Sequence, residues 1–150
     1  MIEIKRTSSA NKDFQQLVSK LNAYLKKVDG DEHSFYNQYN SIESLKHVVV
    51  AYNNLEPIGC GAFKEFNNNS VEIKRMYTLP NMRNKKVASK ILYELESWAN
   101  ELGYSNIILE TGKRQLEAVS FYNKNNYQVI QNFEPYEHIE NSVCFKKQLK

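Results

Sequence analysis

The run from Glu72 to Ala88 constrains this chain more than any other part of it. Glu72-Ile73-Lys74-Arg75-Met76-Tyr77-Thr78-Leu79 reads as a strand, and Pro80 stops it. A hydrophilic loop with Arg83, Lys85 and Lys86 follows, and a helix begins at Val87 with no capping side chain before it. Val87, Ala88, Ile91, Leu92, Leu95, Trp98, Ala99 and Leu102 recur at helical spacing and define one apolar face. Gly103 suits the stop, and Asn106 to Glu110 reads as the next strand. Strand, helix and strand with short joints make a crossover unit with parallel strands. The order also points the free N–H groups of a helix start at the end of a strand. Such a start carries about half a positive charge and suits a phosphate.

The rest of the chain fits around this unit. Ile2 to Lys5 reads as a first strand, and Phe14, Leu17, Val18, Leu21 and Leu25 mark a helix from Asn11 to Lys27. Asp29-Gly30-Asp31 reads as a turn, and Ser41 to Leu45 as a short helix. Val48 to Tyr52 and Ile58 to Phe66 are strand-like runs joined at Asn53-Asn54, and Asn67-Asn68-Asn69 turns the chain into Val71. A further helix spans the segment near Phe121, and Tyr127 to Gln131 and Ser142 to Gln148 read as final strands. The order is that of an α+β protein, an α/β/α sandwich around a mixed sheet.

A length of 150 residues suits one domain with one core, spanning 1–150. The net charge of +3 is mild and its basic residues are interspersed with acids, so nucleic acid is not expected as a partner. No apolar run is long enough to span a bilayer, and no membrane association is expected. Met1 to Arg6 lacks a signal-peptide hydrophobic region, and Cys60 and Cys144 sit in strand-like runs as unpaired buried thiols. A cytoplasmic location is expected. No Cys/His grouping has metal-ligand spacing, and no metal is expected.

Two segments resemble the GNAT superfamily of N-acetyltransferases. Arg83, Asn84, Lys85, Lys86, Val87 and Ala88 occupy the six positions of its Arg/Gln-x-x-Gly-x-Gly/Ala motif. The arginine and the final alanine match, whereas Lys86 stands where the family has glycine. At that position Lys86 still offers its N–H if its φ is ordinary and helical. Gln115 to Tyr127 resembles the family's Asn-x-x-Ala-x-x-x-Tyr-x-x-x-Gly-Phe segment, with Gln115, Asn126 and Tyr127 as replacements and Tyr122 as the match.

The resemblance implies an acetyl-CoA N-acyltransferase fold, with a mostly antiparallel sheet splayed between strands 4 and 5. It implies that Met76, Tyr77 and Thr78, at a bulge in strand 4, offer backbone groups to the pantetheine. It further implies that Arg83, Asn84, Lys85, Lys86, Val87, Ala88 and Ser89 cradle the pyrophosphate. The expected reaction moves an acetyl group directly to a primary amine of a small molecule. Acetylation of a protein or peptide and a non-catalytic acyl-CoA-binding module are the alternatives, and a homodimer is compatible with the reading.

Such a transfer needs a base for the ammonium, a donor for the oxyanion and an acid for the thiolate. Glu72 is the first choice of base, against a solvated strand glutamate paired with Lys74 or a neighbour. Glu110 is the rival, and a water chain is a third route. Tyr122 matches the family's acid, against a role as a core aromatic. His33, Tyr36, Glu110 and Tyr136 are the candidate acceptor contacts, with His33 and Tyr36 on one border of the pocket and Tyr136 on the other.

Overall fold

The computed structural model describes residues 1–30, 42 and 45–149. Its elements are β1 (Ile2–Thr7), α1 (Lys12–Asp29), β2 (His47–Asn53), β3 (Glu56–Asn67), β4 (Ser70–Thr78), a 3₁₀ turn (Pro80–Met82), α2 (Val87–Glu101), β5 (Asn106–Gly112), α3 (Leu116–Lys124), β6 (Gln128–Ile130) and β7 (Ser142–Gln148). The strands form one sheet in the order β1-β2-β3-β4-β5-β7-β6. Among the described residues β4 and β5 pair in parallel and the other neighbours pair antiparallel. This is the expected mixed sheet with the expected crossover through α2.

Helices cover both faces of the sheet. Phe14, Leu17 and Val18 of α1 pack with Val48, Val50, Cys60 and Ala62 on one face. Ile91, Leu92, Leu95 and Ala99 of α2 pack with Val49, Ala51, Phe63, Val71, Ile73, Ile107 and Leu109 on the other, where Tyr122 of α3 joins them. Successive residues of a strand point to opposite faces, so the unbroken apolar run Val48-Val49-Val50-Ala51 is what a strand covered on both sides requires. Cys60 and Cys144 are both buried and unpaired.

Local chemistry sets the helix limits. The Asn11 side chain accepts from the Phe14 amide at 2.9 Å and caps α1, which starts at Lys12. Asp29, expected in a turn, is the last helical residue and is buried, and Gly30 ends the helix at φ +54°. Gly103, at φ +92°, ends α2 as expected. Leu102 departs from the expected apolar face. It lies at the helix end and is 49% exposed. The short helix expected at Ser41–Leu45 falls largely outside the described residues.

The sheet opens between β4 and β5. The two strands pair at Ser70 with Asn106, Val71 with Ile107 and Glu72 with Ile108, and then part. Along its other edge β4 bulges. Cys60 faces Tyr77 and Ala62 faces Lys74, so Arg75 and Met76 together stand opposite Gly61. Arg75 takes the extra residue's left-handed conformation, φ +59°. Gly61 is needed at this point, because a Cβ there would drive into the Met76 sulfur and meet Ile91 and Leu95 at 3.0 Å.

Candidate active site

The parting strands frame a cleft of about 100 Å³, walled by Leu21, Leu25 and Asp29 of α1 and closed at one side by Ala118 and Tyr122 of α3. Glu72, Lys74 and Glu110 line it together with Arg75. Pairing register explains their meeting. Glu72 faces Ile108 across the seam, so Glu72 and Lys74 on β4 and Glu110 on β5 share the sheet face that α1 covers.

Glu72 is not a solvated strand glutamate. It is 5% exposed, and the Lys74 ammonium lies 3.0 Å from its carboxylate. Lys74, equally buried, also donates to the Tyr136 hydroxyl at 3.2 Å. A buried carboxylate so paired has lost water and regained an ion, and removing either partner strands the other. Glu110 stands differently. Its carboxylate accepts from the Ser142 hydroxyl at 2.7 Å. Burial pushes its pKa up to about 7; the Ser142 hydrogen bond and the Lys74 charge oppose the rise, and Asp29 and Glu72 add to it. Of the three carboxylates that line the cleft, Asp29, Glu72 and Glu110, Glu72 is clamped by a lysine and Glu110 is poised to exchange a proton near neutrality.

Tyr122 has the surroundings of a core aromatic and also borders the cleft. Its ring is buried among Phe121, Tyr127 and Phe145, and it also lines the cleft. Burial raises its pKa, which keeps the phenol protonated. Tyr136 is buried, with its ring against Phe133 and its hydroxyl on Lys74. His33 and Tyr36 lie outside the described residues.

At the mouth of the opening, the turn after Pro80 leads into α2. The amides of Val87, Ala88 and Ser89 precede the first intrahelical bond, from Lys90 N–H to the Lys86 carbonyl at 3.1 Å, and no side chain caps them. The first turn of the helix has no acid. Val87 contributes backbone alone, since its side chain is in the core. Lys85, Lys86 and Asn84 are exposed beside these amides, Asn84 at φ +63°.

Two expectations for this turn need correction. Lys86 does not have a helical φ. It sits at φ +64°, ψ +20°, the left-handed conformation that glycine adopts without cost. The family's glycine position thus keeps its geometry here, and the lysine accepts strain of about 1–2 kcal/mol to do so. Lys86→Gly is expected to raise the midpoint of thermal unfolding by several degrees while leaving the turn intact, a shift differential scanning calorimetry would resolve. A lowered midpoint would contradict the left-handed assignment. Arg83, expected to join the lysines around a phosphate, points elsewhere. Its Nε donates to the Thr78 carbonyl at 3.3 Å, and its guanidinium lies over the Tyr24 ring and 3.9 Å from Glu117. It ties α1, β4 and α3 together across the opening.

Sequence reasoning missed Lys74, Arg75 and Asp29 as cleft residues and Ser142 as the partner of Glu110. The alternation of β4 contained a signal, because Arg75 fell on a face otherwise apolar, but the bulge that turns it toward α1 follows from pairing with Gly61. Asp29 and Ser142 lie far apart in sequence and carry no motif.

Comparison with known proteins agrees with this architecture. The family model for the acetyltransferase (GNAT) family matches residues 14–127. The chain is 31% identical over 127 residues to the uncharacterized N-acetyltransferase YsnE of Bacillus subtilis, covering 83% of this chain and 76% of that one. It is 26% identical over 137 residues to an IAA acetyltransferase of Azospirillum brasilense, covering 90% of each. A crystal structure of a protein assigned as an acyl-CoA N-acyltransferase from Klebsiella pneumoniae superposes with a TM-score of 0.84 at 26% identity, over 100% of this chain and 99% of that one. With a strand bulge, a split sheet and an uncapped helix start in one chain that the family model spans, this protein belongs to the GNAT acetyltransferase family and is an acyltransferase.

Proposed function

We propose that the protein transfers an acetyl group from acetyl-CoA directly to a primary amine of a small molecule, in the cytoplasm. The observation that carries this reading is the convergence of Glu110 and Tyr122 on one cleft at the split between β4 and β5. The residues present fit the acetyl donor. Beyond Glu72 the β5-facing edge of β4 has no described strand partner, so it can pair with the amides of a pantetheine as with an added strand. The amides of Val87, Ala88 and Ser89, with exposed Lys85 and Lys86 beside them, suit a pyrophosphate. The small cleft under α1 favours a small acceptor over a polypeptide.

In this reading Glu110 is the base, in preference to Glu72. A base serves best with a pKa near the working pH, and Glu110 has one, whereas Glu72 is held by Lys74. Glu110 takes a proton from the acceptor ammonium. The freed nitrogen forms its bond to the acetyl carbon as the carbon–sulfur bond breaks. Tyr122, kept protonated by burial, gives its proton to the departing sulfur, and the second proton that the nitrogen sheds as the amide forms passes to water, from which the phenol regains its own. Lys74 and Tyr136 hold Glu72 in place on the cleft wall.

The donor half of this reading has a direct test. Acetyl-CoA at about 100 times its Kd is expected to stabilise the fold by about 2.7 kcal/mol, visible as a raised melting temperature. Pantetheine, which lacks the phosphates, is expected to give a much smaller shift at the same concentration. Equal shifts would remove the phosphate role of the α2 start.

A further inference from the structure

Among the described residues Arg75 is a buried charge with a vacant donor. It is 6% exposed, it lines the cleft, and it occupies the strained left-handed position of the β4 bulge. Its guanidinium donates to the neutral side-chain amide of Asn22 on α1, and its Nε is buried with no hydrogen-bond partner. Burial lowers its pKa to about 10, so it remains a cation at neutral pH. Among the described residues no carboxylate forms an ion pair with it. Of the three that line the cleft, Asp29 makes no ion pair with Arg75, and the other two are engaged elsewhere. Glu72 is paired with Lys74, Glu110 accepts from Ser142, and the charges acting on Glu110 are those of Lys74, Asp29 and Glu72.

A buried cation without an anion is costly, and an apolar side chain of similar volume would fill the space at less cost. The arrangement makes sense if the anion arrives with a ligand. A carboxylate would answer the charge and the vacant Nε donor together, since the guanidinium fork matches carboxylate geometry. Resting on the amine acetyltransferase reading above, we propose that Arg75 recognises a carboxylate of the acceptor. The substrates are then compounds with both a primary amine and a carboxylate, the amine directed to Glu110 and the carboxylate to Arg75. The bulge serves this selection. It places Lys74 and Arg75, neighbours in sequence, on the same face of the sheet, so one cation holds Glu72 while the other remains for the ligand.

The test compares matched acceptors by thiol release from acetyl-CoA. One member of each pair is an α-, β- or γ-amino acid, and the other is the amine that lacks its carboxylate. For the best pair, the wild-type protein is expected to favour the amino acid in kcat/KM by roughly 10- to 100-fold, the value of a charged hydrogen bond. In Arg75→Gln this ratio is expected to fall toward one, chiefly through a higher KM for the carboxylate-bearing member, and Arg75→Lys should keep part of it. A wild-type protein without preference in any pair overturns the proposal with no need of a variant, and so does a ratio that survives in a folded Arg75→Gln. Activity on plain amines alone therefore sinks this inference and leaves the acetyltransferase reading standing. If no acceptor releases thiol, the catalytic reading fails instead. The inference is then decided by thermal protection with coenzyme A present, where equal protection by both members of every pair overturns it.

Discussion

Tyr122→Phe is expected to lower kcat by roughly 10²- to 10⁴-fold, the usual contribution of a positioned acid, with little change in acetyl-CoA affinity. The substitution removes one oxygen and keeps a ring that packs against Phe121, Tyr127 and Phe145. Packing loss is therefore small, and the melting temperature should stay within a few degrees of the wild type. The ratio of the two effects is the informative quantity. A core aromatic that never meets the departing sulfur would give a folded, fully active Phe variant. An acid would give a folded protein that binds acetyl-CoA and turns over slowly. Steady-state kinetics beside a binding measurement on one preparation separates the two.

A loss of similar size is expected for Glu110→Gln, with a distinct pH dependence. The wild-type kcat/KM should rise with pH through about 7 as Glu110 loses its proton. The variant should lack that inflection and recover part of its rate only as the pH approaches the amine's own pKa, near 10, where the free base forms unaided. Glu72→Gln should keep an inflection from Glu110 but move it to lower pH, since the Glu72 charge helps to raise the Glu110 pKa. If instead the inflection disappears with Glu72, the assignment of the base is reversed. Stability supplies an independent reading of the same group. Its folded pKa lies above the ordinary 4.5, so between these values the folded state holds a proton that the unfolded chain has released. The stabilisation it provides is full below 4.5 and is lost as pH rises through 7, by an amount on the order of 2 kcal/mol given that the carboxyl still faces the cleft. Urea midpoints at pH 5 and 8 should show that loss in the wild type and not in Glu110→Gln.

Periodicity made most of the framework legible. The stripe of Ile91, Leu92, Leu95 and Ala99, the stop at Gly103 and the crossover to β5 follow from local rules, and the structure places them as those rules require. The motif positions from Arg83 to Ala88 located the α2 start as well. What remained out of reach depends on pairing across the sheet. Register alone decides that Glu72 and Lys74 face Glu110, and how deeply they are buried. The ion pair with Lys74 was visible as an alternative because the two residues are two apart on a strand and so share a face. The raised pKa of Glu110 was not visible, because it comes first from burial in the assembled cleft, with Asp29 of α1 and Glu72 adding to it, and the sequence does not connect α1 to β5. The left-handed φ of Lys86 ran against its residue type, so composition argued for the wrong conformation there.

The seam between β4 and β5 has a mechanical meaning. Hydrogen bonding joins the two halves of the sheet through the pairs from Ser70 to Glu72, at the narrow end of a wedge, and the strands are free of each other beyond it. From Glu72 to Thr78 the β4 strand runs roughly 20 Å at about 3.3 Å per residue. A rotation of about 5° around the seam therefore displaces the wide end by roughly 2 Å and leaves the narrow end in register. Arg83 spans that wide end like a latch, touching α1, β4 and α3 through one guanidinium. The sheet is in this sense a lever, and a long, thin ligand entering it would find the fulcrum already built.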